Sequence, residues 1–145
     1  MHEWFIELET NPVIKLVFLT LLADIIFGIL RAVKQHTLNS SFGIDGLLRK
    51  CGVILAVIFL FVADAVTNIN FTPFVDENVL KYINLTSVGL TEIFGMLFVA
   101  FETLSVLKNM MILGMPLPKG VKEKLETWLK NNSEEMGEKR GNQGN

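Results

Sequence analysis

The sequence predicts an all-α integral membrane protein. It has three transmembrane helices, an N-terminus outside, a C-terminus in the cytoplasm, and a C-terminal amphipathic helix. Three observations predict this. The 145 residues are 50% hydrophobic and only 19% charged, against about 25% charged in ordinary soluble domains. The charges that remain are bunched at the ends and in the connections: between Cys51 and Val75 the only acid or base is Asp64. The basic residues, finally, fall overwhelmingly on one side of the apolar runs.

The same composition excludes several classes. A net charge of -2 argues against a nucleic-acid-binding surface. A single cysteine, Cys51, excludes an internal disulfide and a cysteine-rich zinc site. His2 and His36 are too few for a histidine-rich metal centre, so no cofactor or metal is expected.

The chain divides into an external segment 1–12, a membrane domain 13–113, an amphipathic helix 114–131 and a disordered tail 132–145. Crossing the roughly 30 Å hydrocarbon core takes about 20 mainly apolar helical residues. The first such stretch runs from Val13 to about Ala32, with Lys15 and Asp24 as its only charges before Leu30. It is not a cleavable signal peptide, because the residues before it are acidic rather than basic. The second runs from about Lys50 to Asn68 and the third from about Val88 to Val106, with an extension towards Leu113. A soluble bundle would keep a polar face covering about half of each helix; the first stretch has only Lys15, Thr20 and Asp24 as clearly polar side chains before Leu30, and Cys51–Ala63 carries no charge.

Lys and Arg mark the cytoplasmic side. Arg31, Lys34, Arg49 and Lys50 follow the first stretch, and seven basic residues from Lys108 to Arg140 follow the third. The connection between the second and third holds only Lys81. Arg31, Lys34, Arg49, Lys50, Lys119, Lys122 and Trp128 are therefore expected to anchor the cytoplasmic membrane surface.

Asn39–Gly46 carries a Ser/Asn/Gly cluster and reads as a tight cytoplasmic turn. The connection 69–87 holds Phe71, Phe74, Leu80 and Tyr82, which is too apolar for a free loop. It is expected to lie on the outer interface or against a neighbour. Gly114 and Pro116 end the third helix. Beyond them, Val121, Leu125, Trp128 and Leu129 recur at i, i+4, i+7 and i+8, an apolar stripe opposite lysines.

Four carboxylates lie in or near the spans. Asp64 and Glu92, near the outer ends, read as solvated interfacial acids. Asp24 and Glu102 lie deeper, where a charge costs about 2.5–3.5 kcal/mol on insertion scales. On the third helix Glu92, Gly95, Val99, Glu102, Ser105 and Asn109 follow at steps of three or four and share one face. Asp24, Glu92, Glu102, Ser105 and Asn109 thus form a polar face, turned either to a pore or to another helix. Gly28, Gly52, Ala56 and Gly95 are candidates for close helix packing. No set of residues has the spacing of a catalytic centre, so no enzyme activity is expected.

Ala23-Asp24-Ile25-Ile26-Phe27-Gly28 followed by Leu38-Asn39-Ser40-Ser41 through Arg49-Lys50 resembles the toxin secretion/phage lysis holin family, phage holin family 4. A second block, Phe101-Glu102-Thr103-Leu104-Ser105 through Asn109 and then Gly114-Met115-Pro116-Leu117-Pro118, is similar to that family's ending. Lys108 departs from the acidic residue expected there. The resemblance covers about Val13 to Leu129. It implies a phage-encoded protein of the host cytoplasmic membrane that oligomerises and forms a large pore releasing endolysin for host cell lysis. The alternatives are a non-lytic export pore for a protein toxin, an anti-holin, or a small-ion channel using Asp24 or Glu102.

Geometry constrains such a pore. A globular cargo of about 200 residues is roughly 40 Å across. With helices about 10 Å wide, its passage needs roughly a dozen lining helices, hence more than about ten protomers if each lends one. The partners expected are therefore other copies of the chain, the lipid bilayer, and endolysin or toxin as cargo. The third helix is the expected lining element.

Overall fold

A computed structural model of the chain describes residues 9–36, 40–128 and 130. The expected external segment before residue 9 and the expected tail 132–145 lie outside the described residues, as does Leu129. Among the described residues every regular element is helical. Three helices are long and apolar enough to span a bilayer.

Helix α1 covers Pro12–Lys34. Asn11 starts it by accepting hydrogen bonds from Val13 N at 3.0 Å and Ile14 N at 3.2 Å, and Pro12 takes the first turn, where its missing N–H is no loss. Thr20 donates to the carbonyls of Leu16 and Val17, so its hydroxyl is satisfied within the helix. Val13, Ile14, Val17, Leu21 and Asp24 form its buried stripe. The opposite side exposes Leu19, Leu22, Ile26 and Ile29, a surface suited to lipid and not to water.

Helix α2 covers Ser40–Thr67 and begins about ten residues before the expected start at Lys50. The expected turn at Asn39–Gly46 is therefore helical from residue 40 onwards. Gly43 and Gly46 each cost about 1 kcal/mol in a helix. Breaking the backbone ladder beside hydrocarbon costs more, because nothing there replaces the lost hydrogen bonds. The helix stops at Asn68, which adopts a left-handed φ of 51°.

The connection to the last span contains a 3-10 turn at Thr72–Phe74 and the short helix α3, Glu77–Tyr82, which Asp76 caps. Phe71 N donates to Val88 O at 2.7 Å, and Val88 N to Thr72 Oγ1 at 3.0 Å, which folds the connection back on itself. Leu80 is buried, whereas Phe74 and Tyr82 are 85% and 92% exposed. Aromatic side chains so placed suit a membrane–water boundary.

Helix α4 covers Leu90–Leu113 and ends at Gly114, whose φ of 79° lets the chain turn sharply before Pro116. Residues 119–128 form a further helix in which Leu125 is buried and Val121 and Trp128 are exposed.

Helices α1 and α4 run parallel and pack along their length, and α2 runs antiparallel, touching α4 less extensively. Gly95 explains the close approach: a Cβ there would lie 2.6 Å from Val13 Cγ1. Ile14, Val17, Leu21 and Val57 form the apolar centre, with Val53, Phe61, Phe98 and Val99 against them. Lipid tails are as apolar as these side chains, so burial alone does not drive the helices together. Polar contacts must help select this arrangement.

Candidate functional site

The polar contacts form two layers. The deeper one joins all three spans. Lys50 Nζ, from α2, donates to Asp24 Oδ2 of α1 at 2.5 Å and also to Glu102 Oε2 of α4. Asn109 Nδ2, about two turns further along the same face of α4, donates to Asp24 Oδ1 at 2.9 Å. All four side chains are buried, at 4–7% exposure. Asp24 and Glu102 each lie about 18 Å along their helices at 1.5 Å per residue, close to mid-membrane. One ammonium thus faces two carboxylates where an isolated charge is expensive. The site can hold three helices in one register, since any slip leaves a charge unpaired.

The second layer lies at the start of α4. Asp64 of α2 accepts from Leu90 N at 2.8 Å, Thr91 N at 2.7 Å and Thr91 Oγ1 at 2.6 Å. It therefore caps the first turn of α4 from a neighbouring helix. Gly89 is required there, because a Cβ would fall 2.7–2.9 Å from that carboxylate. Glu92 accepts from Gly89 N at 2.6 Å and from Asn11 Nδ2 at 2.7 Å. Asn11 so caps α1 with its oxygen and binds α4 with its nitrogen. A polar cavity of about 440 Å³ opens beside this layer, between Asn11, Asp64, Asn68 and Ser87.

Two expectations are corrected. Lys50 was expected at the membrane surface, but it is 5% exposed and paired inside. With α2 starting at Ser40, Lys50 sits about 15 Å into the helix, beyond the reach of the end. Asp64 and Glu92 were expected to be solvated acids, and they are half-buried and buried caps. Unpaired amides at the start of α4 attract carboxylates.

The remaining candidates are placed as follows. Asp24, Glu92, Glu102 and Asn109 face other helices of the same chain, and Ser105 is half-buried. Gly95 is a packing contact, and a Cβ on Gly28 would lie 3.8 Å from Asn109. Ala56 is half-buried, whereas Gly52 meets open space. Lys34 donates to Leu113 O at 2.5 Å and so ties the ends of α1 and α4 together. Arg31 is half-buried; Arg49, Lys119, Lys122 and Trp128 are exposed. Among the described residues no group of three or more potential metal ligands occurs.

Sequence reasoning passed over Asn11, although Asn-Pro before an apolar run carries a helix-start signature. Lys50 stands out in the sequence only as a surface anchor; nothing local marks its buried pairing, because its two partners lie 26 and 52 residues away.

Three apolar spans that turn one charged cluster inward and aliphatic surface outward define a small multi-pass helical membrane protein. The bacteriophage holin family model matches residues 3–130, and the chain belongs to that family. It is 41% identical over 132 residues to the "Holin-like protein TcdE" of Clostridioides difficile, an alignment covering 91% of this chain and 80% of that protein. No solved structure matches it. The chain is accordingly a holin-type, multi-pass protein of the cytoplasmic membrane, of a class not known as enzymes.

Proposed function

We propose that the protein is a phage holin. It accumulates in the host cytoplasmic membrane, associates into assemblies of more than about ten protomers, and opens a lesion through which endolysin reaches the cell wall. Its C-terminus lies in the cytoplasm, where the lysines of residues 119–130 meet anionic headgroups.

One observation carries this reading. In a holin-family chain, most of each span is left unburied by the chain itself. Large apolar side chains such as Leu19, Leu22, Leu55, Phe59 and Phe101 stay exposed, available to lipid or to further copies. A monomeric channel would instead need a continuous polar path through its own three helices, and Ile14, Val17, Leu21 and Val57 pack between the two polar layers.

Induced expression in a bacterium, with and without a co-expressed endolysin, tests the proposal. The expected result is abrupt loss of viability in both strains, release of a cytoplasmic enzyme, and a fall in turbidity only with endolysin. Ion-selective currents without protein release would overturn it in favour of a small channel. Protein release from cells that stay viable would favour an export pore, and delay of another holin's lysis would favour an anti-holin.

A further inference from the structure

We infer that Lys50 is the latch of the closed state, and that opening proceeds by departure of α2 from an α1–α4 pair that stays together. This rests on the pore reading above and adds which contact must break.

A water-filled lumen needs polar lining, because an apolar passage dewets. Among the described residues the folded chain turns no acid outward at mid-membrane; the polar groups exposed near that depth include Arg49 of α2 and Thr103 of α4. Its outward residues there include Leu22, Leu55, Phe59 and Phe101, while Asp24, Lys50 and Glu102 are all turned inward. A lumen lined by the carboxylates of Asp24 and Glu102 therefore requires the cluster to come apart.

The contacts differ in which helix they allow to leave. α1 is tied to α4 at four levels: Asn11 to Glu92, Val13 on Gly95, Asp24 to Asn109, and Lys34 to Leu113 O. Among the described residues the polar ties of α2 to the other spans are two, Lys50 at mid-membrane and Asp64 near its end. Between them lie only apolar contacts, which lipid can replace without loss. Asp64 sits beside the connection to α4, so α2 can swing about that end once Lys50 lets go. The swing bares Asp24 and Glu102 on the pair and Lys50 on α2. Three charges are then presented to water, stabilised only where several protomers share a lumen.

The test is the onset time of cytoplasmic-enzyme release after induction, with immunoblots of the membrane fraction. Release by the parent protein is the control for the pore reading; without it the pore reading fails, and the latch with it. Lys50→Met leaves two carboxylates uncompensated and should shift the closed-to-open balance by about 10²-fold or more, seen as earlier onset at equal membrane abundance. Asp24→Asn/Lys50→Met/Glu102→Met removes the charges together, which leaves the closed state intact but strips the lumen. It should accumulate in the membrane and release late or never.

A purely structural role predicts the opposite: the triple variant would recover the parental onset, and that result overturns the latch. Where Lys50→Met fails to accumulate, the triple variant decides alone. The moving helix is tested separately with Val13→Cys/Gly95→Cys in a Cys51→Ser background. The Cβ–Cβ distance of 3.9 Å suits a disulfide. The oxidised staple should leave onset unchanged. Blockage that a reductant relieves would show that α1 and α4 must separate, and would overturn the assignment of α2.

Discussion

Replacing Gly95 by alanine should force α1 and α4 apart. A Cβ at residue 95 would lie 2.6 Å from Val13 Cγ1, whereas carbon atoms in contact settle at about 3.5–4.0 Å. Either the helices separate by about 1 Å or Val13 leaves its rotamer, and overpacking of this kind costs about 1–3 kcal/mol. Alanine returns about 1 kcal/mol of helix propensity. The net expectation is a loss of about 0–2 kcal/mol. In a Val13→Ala background the obstructing methyl is gone. The sign then inverts, and Gly95→Ala should stabilise by about 1 kcal/mol. Titration of the four proteins from mild detergent into sodium dodecyl sulfate, followed by circular dichroism, gives the two differences and hence their coupling. Equal effects of Gly95→Ala in both backgrounds would refute the close α1–α4 approach.

Other predictions follow from the same contacts. Asp64→Ala removes the acceptor for three donors at the start of α4 and should cost about 1–2 kcal/mol, read in the same titration; an unchanged midpoint would count against the cross-helix cap. For orientation, in a Cys51→Ser background, Tyr82→Cys should react with a membrane-impermeant maleimide in intact cells, and Lys122→Cys only after disruption. The reverse pattern would invert the proposed topology. If α4 lines the lumen, Ser105→Cys and Asn109→Cys should be protected before the onset of release and labelled after it. Protection that persists through release would remove α4 from the lining.

Much of the architecture was legible because it depends on local sums. The existence of three spans follows from runs such as Val53–Ala63, whose transfer into lipid is additive along the helix and independent of partners. The end of α4 was legible too, since Gly114 and Pro116 act on their own backbone. The start of α2 was not. Ser40, Gly43 and Gly46 favour turns in water, and beside a membrane the unbroken backbone ladder outweighs that preference. The polar residues of α4 could be read as one face from their spacing, but spacing does not say what a face meets.

By itself, then, the sequence determined which segments enter the membrane and which residues are too polar to face lipid there. These are properties of composition and helical period. Only the tertiary structure decided that Asp24, Lys50, Glu102 and Asn109 satisfy one another within one chain, and that Asp64 serves a helix other than its own. The physical reason is distance along the chain. A charge's cost in hydrocarbon is set by its own depth, but its compensation comes from residues 26 to 85 positions away, brought close only when the helices pack.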